Sequence, residues 1–281
     1  MSDLFAKGEI HPTAIVSPDA ELGRDVSIGA YAIVHGGVEL GAGARVGPYV
    51  SLGEPPRTRH ATASLAALRI GPGALIRSHT VIYGGSEIGE GFECGHHAAI
   101  LPGAAIGRAV RVGSFADIEG RCRIGDHSRL HSNVFVCQGT EIGRYVWLFP
   151  HVVTTDDPHP PSHALVAATI DDYAAIGARA VLLPGIRIGR EAVVGAAALV
   201  TRDVPPGHLV MGHPARLVGP ASDVRHRMTG EAAYPWYRHF SKGMPWEGIG
   251  FDAWAARPAE AGTPAAAVPD GEEACRGDRT G

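Results

Sequence analysis

The stretch Ile100-Leu101-Pro102-Gly103-Ala104-Ala105-Ile106-Gly107-Arg108-Ala109-Val110-Arg111-Val112-Gly113-Ser114-Phe115-Ala116-Asp117-Ile118 places an aliphatic residue at every sixth position, at Ile100, Ile106, Val112 and Ile118. Followed outward, this ladder runs from Ile70 through Ile76, Ile82, Ile88 and Cys94, and on through Ile124, Leu130, Val136 and Ile142 to Leu148. An earlier block from Ile10 to Leu52 and a later one from Ile170 to Val200 keep the same step. Of the 28 positions, 27 are Ile, Leu or Val; Cys94 is the exception, and glycine follows in 15. Small residues recur four places after many of the aliphatics. A period of six fits neither the 3.6 of a helix nor the 2 of a two-faced strand. It fits a coil of three short strands with a turn after each, one aliphatic per strand pointing inward and stacking on its counterpart a coil away. The glycines suit corners that need permissive dihedrals. The expected fold is all-β, a parallel β-helix of about nine coils.

Composition agrees. The 281 residues include 38 glycines and 21 prolines but only 18 Phe, Trp and Tyr (7, 4 and 7), the usage of a repetitive backbone around an aliphatic core. Glycine does not fall at every third position, which excludes collagen. A net charge of −4 gives no basic footprint for nucleic acid. The longest uncharged apolar stretches, such as 192–200, are about half of a bilayer span. The opening Met-Ser-Asp-Leu-Phe-Ala-Lys-Gly-Glu has no apolar leader core. Cys94, Cys122, Cys137 and Cys275 show no CxxC spacing and no disulfide framework, so reduced thiols and a cytoplasmic location are expected.

Two breaks interrupt the ladder, at 53–69 and 154–169, both rich in Pro, His and charge. Loops thrown from a rigid solenoid are where function tends to sit. The expected organisation is a solenoid domain over 1–220, an aromatic, partly helical capping extension over 221–256 carrying Trp236, Trp246 and Trp254, and a disordered tail over 257–281 rich in Ala, Pro, Gly and acidic residues.

Histidine is frequent, with 15 in the chain. His79 and His97 are one coil apart, His96 adjoins His97, and His127 and His131 follow in later coils. His131 stands where glycine is usual, in Leu130-His131-Ser132-Asn133-Val134, and imidazole is a natural general base for a proton leaving an amine or alcohol. Among carboxylates, Asp117 and Glu119 share one strand, and Asp156 and Asp157 open the second break. A carboxylate can orient a histidine or bind a sugar or its ammonium group; the Asp pair before Pro158 serves equally as a turn former.

The runs Ser114-Phe115-Ala116-Asp117-Ile118-Glu119-Gly120, Arg129-Leu130-His131-Ser132-Asn133-Val134 and Val146-Trp147-Leu148-Phe149-Pro150-His151-Val152-Val153-Thr154-Thr155-Asp156-Asp157-Pro158 resemble the left-handed parallel β-helix, or hexapeptide-repeat, acyltransferases. Within them the resemblance is to the branch that N-acylates nucleotide-linked amino sugars, notably dTDP-3-amino-3,6-dideoxyhexoses. It extends over residues 9–219 and implies a left-handed coil, a homotrimer, and acetyl-CoA as co-substrate with no metal. It also implies catalytic roles for His131, Asp117 and Asp156, and acceptor binding by His96, His97, Glu119, Asn133, Asp157 and Arg57. The run Val210-Met211-Gly212-His213-Pro214-Ala215-Arg216 is similar to the family's closing Gly-x-Pro-Ala motif. By that likeness the pantetheine arm passes Ala178, Ala196 and Ala198, with Arg179, Arg202 and Arg216 toward the phosphates. Relatives commonly read Asn-Asp where this chain has Asp156-Asp157, which puts the acceptor sugar or its amine position in question. Relatives with an N-terminal nucleotide-binding domain carry a GxGxxG element, absent here.

Three activities are weighed: N-acylation of a nucleotide-activated amino sugar; O-acetylation of a sugar or small-molecule hydroxyl, which demands a stronger base; and a γ-carbonic-anhydrase-like zinc site built from His96 or His97 with His127 and His131.

Overall fold

In the computed structural model, residues 8–55 and 67–257 are described. They belong to two compact units, Met1–Pro235 and Trp236–Gly281. The first unit is a parallel β-solenoid of about ten turns, built from three sheets of ten, nine and eleven strands. Sheet B runs from Ile15–Val16 to Leu199–Val200, sheet C from Glu21–Leu22 to Arg187–Ile188, and sheet A from Ser27–Ile28 to a closing antiparallel hairpin, His208–Gly212 with Ala215–Pro220. The chain visits B, C and A in turn, so each strand pairs with the one a coil away: Asp117 lies beside Ala99 and Phe135, and Ile118 beside Ile100 and Val136. The architecture is the all-β one expected, consistent with a left-handed β-helix.

Strands are mostly two residues long, the first facing out and the second in. The inward ladder residues form one continuous core: Ile76, Ile82, Ile100, Ile118, Leu148 and Leu182 are 0 % exposed. Each buried aliphatic contributes about 1.5–3 kcal/mol, and the small residue two places before it fills the corner, as Ala74, Ala98 and Ala116 do. The ladder is longer than the sequence shows. Thr154 takes the place after Leu148, fully buried, its hydroxyl accepting the Cys137 N–H at 2.8 Å. Val204 and Val210 close the column after Val200, one of them after a shortened step.

Most glycines that follow a ladder residue are not the permissive corners expected. With the exception of Gly53 (+79°), glycines directly after a ladder residue do not take positive φ. A Cβ on Gly71 would lie 2.6 Å from the Glu90 amide nitrogen, and one on Gly177 would lie 2.5 Å from that of Ala196. They are glycine because the next coil's backbone passes over them. Positive φ falls two residues later, at Gly73 (+69°) and His97 (+56°), for example.

Both breaks leave the solenoid at the corner between sheets B and C, after Ser51–Glu54 and after Val153–Thr154. The first compact unit runs past residue 220. Ala221 and the partly buried Val224 and Tyr234 pack on Val193 and Leu209, so residues 221–235 belong with the solenoid rather than with the extension. In the second unit, a 3-10 turn (Trp236–Arg238) and a short helix (Phe251–Ala255) gather rings around the buried Trp246. Its indole N–H donates to the Phe240 carbonyl at 2.9 Å. The expected disordered tail lies outside the described residues beyond 257.

Gly71→Ala is expected to cost more than about 2 kcal/mol by steric conflict with the next coil, whereas Gly73→Asn, in open space at an αL-tolerant position, changes stability by less than about 1 kcal/mol. Thermal unfolding of both variants checks this; equal losses would contradict the close-approach argument.

Candidate functional site

Every coil turns from sheet A to sheet B through four residues, and this corner concentrates the chemistry. Its third position takes positive φ, a region glycine favours. Here rings occupy it in five successive coils: Tyr31, Tyr49, His79, His97 and Phe115, with φ of 56–64°. They stack with centroid separations of 5.1, 5.0, 4.6 and 5.0 Å. A non-glycine residue in this region costs about 1–2 kcal/mol, and each ring pair returns about 0.5–1.5 kcal/mol. His97 is therefore a packing member of this column, between His79 and Phe115. Asn133 continues the same line, exposed at φ 60°.

The first two corner positions line a groove of about 480 Å³. Its walls include His96, His131, Ser114, Ser132 and Trp147, with Arg77, Arg111 and Arg129 along one side. Gly95 and Gly113 leave it hollow. Arg111 pairs with Glu93 at 3.3 Å, and the Arg129 guanidinium lies 5.3 Å from the centre of the Trp147 ring. His131 is half-buried and stacks on Phe149 at 5.1 Å and against Trp147 at 5.7 Å. Burial, and then the charge of Arg129, hold its pKa below the ordinary histidine value, so its neutral form dominates at pH 7. The His96 ring meets the Ser78 hydroxyl at 2.7 Å, and its backbone N–H donates to Ser114 Oγ at 3.0 Å. A second groove of about 440 Å³, lined by Leu75, Pro48 and His11 among others, shares Arg77 and His96 with the first. Ser78, Ser114 and the three arginines were not among the residues expected from the sequence; Ser78 and Ser114 share the corner position of His96, one coil to either side, and Arg111 and Arg129 face outward from sheet A one coil apart.

Further along the same corner lie Ala178, Arg179 and Ala196, the first half-buried and the others exposed. Arg216 follows on the closing hairpin opposite Met211, also exposed. Ala198 is corrected: its methyl is in the core, 1 % exposed, and presents nothing to a ligand. Arg202 sits after sheet B, at the other corner.

The carboxylates are elsewhere. Glu119 and Asp156 stand at the corner between sheets B and C. Glu119 accepts the Gln138 N–H at 3.0 Å, and the Asp156 carbonyl accepts the Val166 N–H at 2.7 Å, closing the loop. Asp157 is a turn former. It accepts the N–H groups of His159 (2.9 Å) and Ser162 (2.6 Å) and the Ser162 hydroxyl (2.6 Å), and these bonds, led by the hydroxyl, hold its pKa down. Asp117 points outward from sheet B between Ala99 and Phe135, with Oδ1 buried and unpartnered and its pKa raised by burial. Among the described residues, no hydrogen bond joins His131 to Asp117 or Asp156, so a His–carboxylate pair within one chain is not formed. Arg57 lies outside the described residues.

The three histidines of the zinc alternative are not brought together within one chain. His127 belongs to the corner between sheets C and A, stacked on Tyr145 at 5.2 Å with its pKa lowered to about 4 by burial, whereas His96 and His131 are at the next corner. Among the described residues no three His, Cys, Asp or Glu side chains converge as a metal site. A further groove of about 500 Å³ on sheet C is lined by Arg123, Glu141, Asp171, Asp172 and Arg190. Two of its acidic groups are held in ion pairs, Asp172 with Arg144 at 2.8 Å and Asp171 with Arg187 at 2.9 Å.

Two family models match parts of the chain: Bacterial transferase hexapeptide (six repeats) over residues 19–54, and Hexapeptide repeat of succinyl-transferase over residues 168–202. Among curated proteins, a 2,3,4,5-tetrahydropyridine-2,6-dicarboxylate N-acetyltransferase of Staphylococcus aureus (strain JH9) is 48% identical over 66 residues, 24% of this chain and 27% of the relative. The chain thus spans about a quarter of the length of the curated relatives it matches. Among solved structures, the Arabidopsis UDP-N-acetylglucosamine acyltransferase superposes with a TM-score of 0.64 at 21% identity, covering 75% of this chain and 74% of that one, which establishes a shared fold. No helix among the described residues is long and apolar enough to cross a membrane.

Burial raises the folded-state pKa of Asp117 above its unfolded value, so the folded protein binds that proton more tightly. Its effect on stability is favourable at low pH and is lost as pH rises through the folded pKa. Asp117→Asn is therefore expected to raise Tm at pH 7.5 and to lose that advantage at pH 4; a lower Tm at pH 7.5 would show that the carboxylate has a partner.

Proposed function

We propose that the protein is a CoA-dependent N-acyltransferase, transferring acetyl from acetyl-CoA to the amine of a nucleotide-activated amino sugar such as a dTDP-3-amino-3,6-dideoxyhexose. The observation that carries this reading is the groove at the corner between sheets A and B. It brings two imidazoles, His96 and His131, together with Arg77, Arg111 and Arg129. The guanidinium groups suit an acceptor bearing phosphates. An imidazole suits the proton lost when an amine attacks a thioester, and a neutral N–H donor suits the developing oxyanion. Ala178, Arg179 and Ala196 on the same corner, with Arg216 on the closing hairpin beyond, offer a small-residue track with cationic groups for the pantetheine arm and the CoA phosphates. The N-acetyltransferase named among the partial relatives supports amine acylation.

The reading includes a homotrimer. The outward residues of sheet B are Ile15, Ile33, Ser51, Val81, Ala99, Asp117, Phe135, Val153, Val181 and Leu199, apolar but for Ser51 and Asp117. Ile15 is 65% and Ile33 37% exposed in the single chain. Sheet C instead presents Glu21, Glu39, Arg69, Glu87, Arg123, Glu141 and Arg187. The apolar face suits subunit packing, which would also bring sheet B's two corners near neighbouring chains. A cytoplasmic location goes with this co-substrate.

Acetyl-CoA at a hundredfold its Kd is expected to stabilise the native protein by about 2.7 kcal/mol, a clear rise in Tm. Incubation with the amino-sugar nucleotide should yield an acetylated product stable to mild base. An ester cleaved by base would move the reading to O-acetylation, and no rise in Tm would remove acyl transfer. His131→Ala should lower kcat at saturating acetyl-CoA at least tenfold; an unchanged kcat across pH would take His131 out of the reaction.

A further inference from the structure

Of the two groove imidazoles, only His96 is fixed by a hydrogen bond to its ring. Ser78 stands one coil before it in the same corner position, with the hydroxyl 2.7 Å from Nδ1. Ser114 stands one coil after, and its Oγ accepts the His96 backbone N–H at 3.0 Å. One serine thus sets the ring and the other the backbone, and Nε2 is the ring nitrogen left over. His96 also lies where the two grooves meet, since it lines both. His131 is held differently, by ring stacking on Phe149 and Trp147, beside a guanidinium that disfavours its protonated form. A base held by a third group is the arrangement nucleophile activation requires, because the orienting bond also selects the tautomer.

We propose that Ser78 is a positioning residue: its Oγ accepts Nδ1–H of His96, so that the Nε2 lone pair faces the groove and takes the proton in acyl transfer. This rests on the acyltransferase reading above. The acceptor amine attacks the thioester carbonyl carbon and a C–N bond forms. Nε2 of His96 takes a proton from the resulting ammonium, while neutral His131 donates an N–H to the carbonyl oxygen. Collapse of the tetrahedral adduct breaks the C–S bond, and the imidazolium of His96 returns its proton to the CoA thiolate. Amide and CoA are the products, and both histidines end as they began.

The test uses the full-length protein with Ser78→Ala, Ser78→Thr and His96→Gln. Peptide mapping after diethyl pyrocarbonate treatment reads imidazole reactivity with no ligand present. Ser78→Ala should change the carbethoxylation rate of His96 at least threefold and leave His131 unchanged. With acetyl-CoA and a dTDP-3-amino-3,6-dideoxyhexose, Ser78→Ala should lower kcat about tenfold with KM for acetyl-CoA within twofold, and Ser78→Thr should stay within threefold of wild type. His96→Gln should lose at least a hundredfold in kcat. Wild-type kcat in His96→Gln, or wild-type His96 reactivity in Ser78→Ala, overturns the proposal while leaving the acyltransferase reading intact. Absence of acetyl transfer by the wild-type protein overturns that reading, and with it the role in proton transfer.

Discussion

The structure depends on the close passage of one coil's backbone over the corner of the coil before it. The 18-residue circuit brings successive corners so close that no Cβ fits between them at Gly71 or Gly177. That constraint sets the spacing of the strands, about 4.7–4.9 Å, and therefore the spacing of every side chain that projects outward. A residue at a given corner position lies directly over its counterpart 18 residues away. Ring columns, the Ser78–His96–Ser114 series and the ion pairs along sheet C all follow from this one repeat.

Because the scaffold is quasi-one-dimensional, a site is a matter of which corner and which coil a residue occupies. The corner between sheets A and B carries glycines that hollow a groove, and imidazoles and guanidinium groups that line it. The corner between B and C bears both inserted segments and the carboxylates Glu119 and Asp156. The outward face of sheet B separates the two, almost without charge. A single chain therefore holds His96 and His131 at one corner and Glu119 and Asp156 at the other, with the apolar strip of sheet B between them.

The fold was legible because its signal is redundant: 27 aliphatics in 28 positions leave one period and one architecture. Where the ladder passes through Thr154, or shortens before Val204, the pattern by residue type fails although the backbone continues. The glycine after many of the aliphatics was visible, but its reason was not, since the close approach is a contact between residues one coil apart. The candidate residues scattered over all three corners, one sheet face and, for Ala198, the core. Adjacent residues such as His96 and His97 part company because one corner position faces the groove and the next enters the ring column. Counting each candidate's offset from its ladder residue would have separated them.

Hydrogen–deuterium exchange of the protein with and without saturating acetyl-CoA tests most directly whether the corner between sheets A and B is the working edge. The account predicts protection in peptides spanning residues 131–134, 177–180 and 195–198, with sheet C peptides unchanged. Protection confined to sheet C, or to the corner between C and A around His127, would contradict it.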